Sequence, residues 1–417
     1  MTGGLLQIAA YGPQDLYLTG NPQITFFIAV YKRHTNFAIE QMRQYFHGTI
    51  DFGNKIYCDI APNGDLVHEM FLNLKLPAVN PYPELNPDYQ ASYVNSIGNA
   101  IIQSMDVEIG GQLMDRHYGQ WLEIWNDLTI TSEKRHAYNQ MVGKVENFTL
   151  DSLSGELNLY IPLQFWFNRN IGLSLPLIAL QSSQVRIVVT LRRFEELWVS
   201  SNDIEPGLGV ENDSSVMDSK KLITAQLWVD YIFLENKERK KFAQCSLEYL
   251  IEQLQVNTQS IDEKNNLLNM TFNNPIKEII WVIQTGRIFN RGPDKGYDFF
   301  DFSNGEDIPG DTIDLAKIQL EGNDLFTERE PIYFRIIQPY QRHTNVPKNF
   351  IYLYSFAYKP EQHQPTGTCN FSRVDNATLN FVANDCIIQK NSNIIIYATN
   401  YNVLRIEGGI AGITYAD

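Results

Sequence analysis

Phe350, Tyr352, Tyr354, Phe356 and Tyr358 occupy every second position of one stretch, with Ile351, Leu353, Ser355 and Ala357 between them. Successive side chains of a strand point to opposite sides, so this period of two with aromatic residues on one face predicts a strand over 350–358. The stretch carries no charge, which implies that both faces are covered, one by a facing sheet and the other by a second layer or a neighbouring subunit. Between Pro360 and Thr368, two prolines and a glycine forbid regular structure. A further strand is expected over 370–376. A strand, a proline-rich loop and another strand form a rigid scaffold that presents loops, and nothing in it suggests a reaction.

The same reasoning extends over most of the chain. Residues 1–21, with a glycine pair, a short apolar patch and Gly12-Pro13, read as an extended arm too short to fold alone. Short strands are expected over 49–59, 67–76, 101–109, 157–162, 185–191 and 222–234. Gly110-Gly111 marks a hairpin tip. Trp121, Leu122, Trp125 and Leu128 lie at helical spacing and predict one amphipathic helix over 119–129. The loops over 77–87, 200–219 and 286–311 are rich in proline, glycine or acidic residues and are expected on the surface. The sharpest change of composition is Asn236-Lys237-Glu238-Arg239-Lys240-Lys241, read as a solvent-facing connector. The expected division is therefore an arm (1–21), a first unit (22–236), a linker (237–246) and a second unit (247–417). In the second unit, strands are expected over 278–285, 317–320, 333–337, 350–358, 377–382 and 393–398.

Two internal echoes suggest that one architecture occurs twice. Met70-Phe71-Leu72-Asn73-Leu74-Lys75-Leu76-Pro77 resembles Glu278-Ile279-Ile280-Trp281-Val282-Ile283-Gln284 at an offset near 207 (279 minus 72). Gly111 after Val107-Glu108-Ile109-Gly110 resembles Gly322 after Ile318-Gln319-Leu320-Glu321 at 211 (322 minus 111). A third echo, Arg33-His34-Thr35-Asn36 with Arg342-His343-Thr344-Asn345, is offset by 309 (342 minus 33) and breaks that register. About eight strands per half, little helix and a half-length repeat predict an all-β fold of two tandem eight-stranded jelly rolls with short helical insertions.

Composition narrows the function. A net charge of −15 makes the chain a poor partner for nucleic acid, because neutralising phosphates needs clustered Lys and Arg. Cys58, Cys245, Cys369 and Cys386 are far apart with no C-x-x-C spacing, which argues for free thiols in a reducing compartment. No apolar run approaches the roughly 20 residues of a membrane span. No basic residue precedes Lys32, so no secretory signal is expected, and synthesis is expected in the cytosol.

Jelly rolls also host enzymes, so chemistry has to be looked for directly. The seven histidines include no H-x-H pair and no H-E-x-x-H, and the sequence has no nucleophile elbow, P-loop or dinucleotide fingerprint. No catalytic, cofactor or metal residue is assigned. Asp115-Arg116-His117 beside a glycine turn is expected to order that corner by hydrogen bonds. Arg373 and Asp375, two apart, are expected to form a structural ion pair. Asn-x-Ser/Thr sequons at Asn147, Asn212, Asn269, Asn370 and Asn376 are candidate glycosylation sites, with Asn212 foremost because it lies in an acidic loop.

Several long motifs carry a family resemblance. They are Tyr354-Ser355-Phe356-Ala357, the run from Lys359 to Asn376, Tyr17–Phe27, Tyr31–Ala38, Ile161–Phe167, Leu175–Leu180 and Asn400–Ile406 with Gly408–Gly412. In order along nearly the whole chain, they resemble the major capsid proteins of nucleocytoplasmic large DNA viruses of the chlorella-virus, iridovirus and marseillevirus types. The resemblance implies a double jelly roll whose homotrimer forms a pseudo-hexagonal capsomer tiling an icosahedral shell, assembled in host cytoplasm. It also implies neighbouring capsomers and minor capsid proteins as partners, with the arm as the element reaching a neighbour or the inner membrane side. The competing class is a jelly-roll carbohydrate- or receptor-binding virion protein, which exposed aromatic side chains at loop tips would favour.

Overall fold

The computed structural model describes residues 2–79, 91–149, 152–200, 220–285, 299–304, 309–388 and 392–415. Residues 1–36 form one unit and 37–417 another. The first unit is not the extended arm expected. Its residues wind into α1 (Gly3–Ala9), a 3-10 turn (Pro13–Asp15) and one further helical turn (Leu16–Thr19). The Asp15 carboxylate accepts the Gly12 N–H at 2.7 Å. Residues 22–36, expected to open the first jelly roll, carry no strand and belong to this unit. Its apolar side chains are exposed, Phe27 at 94%.

Among the described residues, sixteen principal strands build the second unit, beside four minor ones. In the first half they are β1 (Phe37–Tyr45), β2 (Lys55–Asp59), β3 (Leu66–Leu76), β4 (Ile102–Ile109), β5 (Gln112–His117), β6 (Leu157–Pro162), β7 (Val185–Leu191) and β8 (Thr224–Leu234). In the second they are β9 (Leu247–Ile261), β10 (Asn265–Asn269), β11 (Pro275–Gln284), β12 (Ile313–Leu320), β13 (Asn323–Asp324), β14 (Tyr352–Ser355), β15 (Ala377–Ala383) and β16 (Ser392–Glu407). The first half pairs them as β1-β8-β3-β6 and β2-β7-β4-β5, and the second as β9-β16-β11-β14 and β10-β15-β12-β13. Adding eight to each label of the first half gives the second. Each half is thus an antiparallel eight-stranded jelly roll, and no described sheet takes strands from both. The minor strands Ala91–Tyr93 and Trp198–Ser200 pair together, while Cys369–Asn370 and Ile410–Ile413 extend the β11 and β16 edges.

The echoes fall on equivalent positions. Leu72 and Ile279 lie on third strands, β3 and β11. Gly111 (φ +82°) and Gly322 (φ +75°) turn the hairpins after the fourth strands, a conformation that a Cβ opposes. The third echo joins a residue of the first unit to a helix end and marks no equivalence.

Several segments differ from their expected form. The strand at 350–358 shrinks to Tyr352–Ser355; beyond it the chain bends, and the Phe356 and Ala357 N–H groups both donate to the Lys277 carbonyl of β11 instead of continuing the ladder. Asn370–Asn376 is broken by a 3-10 turn at Phe371–Arg373, so Arg373 and Asp375 do not share a strand face. Tyr333–Ile337 is a π-helical turn that runs into α5 (Gln338–Arg342). A short apolar run cannot by itself be told from a strand. The expected linker is mostly α4 (Asn236–Gln244), a helix with no buried residue, consistent with the strong helix propensity of Lys, Glu and Arg. The described part of the 286–311 loop turns inward: Phe299, Phe300 and Phe302 are buried. Most of the 77–87 and 200–219 loops lie outside the described residues.

Candidate functional site

Period two explains how the halves join. On β11, Ile279, Trp281 and Ile283 enter the core of the second jelly roll with Leu379 and Phe381 of β15. Ile280 and Val282, pointing the other way, belong to a core continuous with the first half. β16 divides alike: Ile394 and Ile396 face inward, Ile395 and Tyr397 face the first half. On β14, Leu353 faces the first half and Tyr352 its own core. The outer face of the β9-β16-β11-β14 sheet is therefore a buried seam. This is why β11 reads as an almost uninterrupted apolar run.

Helix α2 (Gly119–Thr129), inserted between β5 and β6, covers that face. It was expected to be amphipathic, yet from Trp121 to Leu128 every residue is buried. Its first residue has no room for a side chain: a Cβ on Gly119 would overlap the carbonyl oxygens of Asn99 and Ile102. On the first-half side, Glu123 accepts from Ser96 Oγ (2.7 Å), Asn99 Nδ2 (2.6 Å) and Lys144 Nζ (2.5 Å), and α3 (Ser132–Val142) adds Tyr138, whose hydroxyl accepts from Asn99 and Asn126. On the seam side, Trp121 lies 5.4 Å from Tyr397 and Trp125 lies 6.5 Å from His343, centroid to centroid. Tyr397 Oη donates to Gln120 (3.2 Å), whose amide donates to Gln284 (2.9 Å).

Buried charge holds the same seam. Glu252 of β9 binds Arg169 of the first half at 2.8 Å and Lys277 of β11 at 2.7 Å. The Lys277 ammonium also donates to the Pro360 carbonyl (2.7 Å) and lies over the Trp125 ring (5.6 Å). Next to it, the fully buried Glu278 accepts from His343 Nε2 at 2.9 Å, and the other ring nitrogen meets Glu361 at 3.0 Å. Burial opposes the charge on His343, but Glu278 and Glu361 outweigh it and lift the imidazole to about 9. Burial likewise opposes ionisation of Glu278 and Glu252. His343 holds the first below the ordinary carboxylate range, and Lys277 with Arg169 does so for the second. Both pairs are therefore ionised at neutral pH. Charged pairs this deep add little net stability over apolar packing, but breaking one strands a charge; of these pairs, Arg169–Glu252 is the one that ties the first half to the second.

Of the residues singled out from sequence, Asp115 and His117 pair at 3.0 Å, both buried. Asp115 also accepts the Leu254 N–H of β9 (3.0 Å), while Arg116 makes a two-pronged contact with Asp106 at 2.7 Å. The triplet orders a corner, and Asp115 reaches across the seam. Asn147, Asn269, Asn370 and Asn376 are exposed, and Asn212 lies outside the described residues. Asn269 pairs with Thr378, the hydroxyl residue of the Asn376 sequon, so two sequons abut. All four cysteines are free, and burial pushes the Cys58 thiol up to about 12. Among the described residues, no group of three or more His, Cys, Asp or Glu side chains is placed to hold a metal, and no helix is long and apolar enough to cross a membrane.

Sequence reading missed Glu252, Lys277, Glu278 and His343. The legible signal was Lys277-Glu278 inside the apolar run from Ile276 to Ile283, where burial forces a charge to find a partner.

Two jelly rolls with one strand order, fused through a buried polar seam, define a double jelly-roll structural protein. The chain matches the major capsid protein N-terminus family over residues 25–235 and the large eukaryotic DNA virus major capsid protein family over 238–412. It is 40% identical to the major capsid protein of Pyramimonas orientalis virus, with 100% of each chain covered. It superposes on a chain of the capsid of the chlorella virus PBCV-1 with a TM-score of 0.76 at 32% identity, covering 94% of this chain and 100% of that one. The Faustovirus major capsid protein shares the fold, with a TM-score of 0.78 at 12% identity over 97% and 96% of the two chains. The chain belongs to the major capsid proteins of large eukaryotic DNA viruses. It is a structural component of the virion capsid and not an enzyme.

Proposed function

We propose that the chain forms a homotrimeric capsomer, pseudo-hexagonal in outline, that tiles an icosahedral shell. The observation that carries this reading is the repeated strand order. A chain with two equivalent sandwiches gives a trimer six similar edges, so one contact type recurs around the lattice. The proposed organisation is a first jelly roll up to residue 236, a connector over 237–246 and a second jelly roll from 247. The unit at 1–36, with its exposed apolar side chains, is the element that reaches minor capsid proteins or the inner membrane side. Neighbouring capsomers are the other partners, and the acidic chain is not expected to bind the genome. Synthesis and assembly belong to the host cytoplasm, where free thiols persist and the exposed sequons meet no glycosylation machinery.

Light scattering on the purified chain, with negative-stain microscopy, tests this. Particles of three chains with a hexagonal base are expected. A monomer persisting at micromolar concentration would overturn it.

A further inference from the structure

One sheet edge and one segment of the chain are both without a β partner. β1 stands at the end of its sheet and pairs only with β8. Every second residue of such a strand turns its N–H and C=O away from the neighbour, so half of the β1 backbone groups point off the sheet. From Ala38 to Tyr45, none of them makes a hydrogen bond outside the β8 ladder among the described residues. Every residue there is exposed or half-buried. The equivalent strand of the second half is finished differently. Along β9, the side-chain amides of Gln255, Asn257 and Gln259 bond sideways to the segment over 269–273, at 2.8, 3.1 and 3.0 Å. On β1, Gln41 turns its amide to Asp230 of β8 instead.

Ile24–Tyr31 is the complementary piece. Its eight residues include no charge, proline or glycine, and all but Ala29 are β-branched or aromatic. That composition favours a strand. Yet the segment enters no ladder, and each of its residues is exposed, Phe26 at 89%. A bare strand edge and an uncharged strand-forming segment are each a hazard of unspecific aggregation, and natural proteins cover both. The lengths match, since 38–45 is also eight residues. The five residues between them, Lys32 to Asn36, are enough for a hairpin within one chain. No such hairpin forms in the single chain, which leaves the edge to a second copy.

We infer that Ile24–Tyr31 of one copy adds as a fifth strand to the open edge of β1 in a second copy. This rests on the capsomer reading and gives the part of the arm nearest the jelly roll its partner, leaving residues 1–21 for the others. Main-chain hydrogen bonds supply the affinity in such an addition. It therefore tolerates Glu40 and Arg43, whose side chains stand on opposite faces of the sheet and not along its edge. Segment and edge are different surfaces, so the exchange runs head to tail and closes as a ring in the trimer.

The test uses the full chain with Cys245, an exposed thiol, replaced by Ser. Ile28 and Gln41 lie near the middle of the segment and of the edge, so they meet whichever way the added strand runs. The double variant Ile28→Cys/Gln41→Cys, treated with a short bismaleimide, is expected to give covalent dimers and trimers beyond those of either single variant. Hydrogen exchange is expected to show protection at alternate amides of 38–45, and its loss when residues 2–31 are deleted. Ile28→Pro/Ala29→Pro removes two adjacent main-chain donors, one of which must face the edge, and should abolish that protection. Ile28→Ala should keep it, and its loss there too would overturn main-chain pairing in favour of a side-chain contact. If the parent chain is trimeric but 38–45 exchanges equally with and without the arm, strand addition is wrong while the capsomer reading stands. A bismaleimide bridge confined to single chains likewise overturns it, by assigning the strand to its own chain. A parent chain that stays monomeric overturns both readings.

Discussion

His343 is the residue on which pH should act most clearly. Its imidazole titrates near 6.5 when unfolded and about 9 in the fold, where Glu278, Glu361 and the Trp125 ring surround it. A raised value means that its stabilisation is complete below about 6.5 and is lost as pH climbs through 9, an effect of about 3 kcal/mol. Glu278 has the opposite sign: its contribution holds above the ordinary carboxylate range and is lost as acid reaches its depressed value. Thermal melts of the parent chain should therefore fall between pH 6.5 and 9, and His343→Gln should flatten that slope; equal slopes would refute the pairing. Lys277→Met leaves Glu252 buried with Arg169 alone. It should destabilise the chain by about 3–5 kcal/mol, read from denaturant midpoints, and a change within error would show that the ammonium does not hold the seam.

Whole elements can be tested through one atom each. Gly119→Ala drives a methyl into the carbonyls of Asn99 and Ile102 at the start of α2. A loss of about 1–3 kcal/mol is expected, with melting temperature as the readout. Phe302 lies in a loop whose acidic, glycine-containing sequence suggests a surface, yet its ring is fully buried. Phe302→Ala should cost about 3–5 kcal/mol if the segment plugs the core, and nearly nothing if the surface reading were right. The elements most easily read from sequence were those whose pattern has one interpretation: β6 and β7, with their alternating Leu and Val, and α2, with Trp121, Trp125 and Leu128. Helix α5 and the turn before it were not legible, because Tyr333-Phe334-Arg335-Ile336-Ile337 suits a strand as well as a helix. Pro331 and Pro339 were the cues that tip it towards a helix. The connector at α4 was legible as solvent-facing from its charge, while its helical form follows from the helix propensity of Lys, Glu and Arg, which the reading of charge alone leaves out.

At the scale of the molecule, the two jelly rolls are equal in strand order and unequal in surface. One sheet face is used up inside the chain, because α2 of the first half covers the β9-β16-β11-β14 sheet of the second. The four free cysteines predict that reducing agent leaves the melting temperature unchanged. A drop on adding dithiothreitol would reveal a disulfide between copies.

The sequence by itself determined the strand-rich class, the half-length repeat and the family, because period two, turn glycines and long ordered motifs are local properties of the chain. It also marked the interior of α2. Only the tertiary structure decided which side of β11 and β16 faces the first half, and that Glu252, Lys277, Glu278 and His343 meet there. Such partners lie 25 to 65 residues apart along the chain (277 minus 252; 343 minus 278). A pattern of alternation shows that two faces are buried; the packing of the sheets alone decides against what.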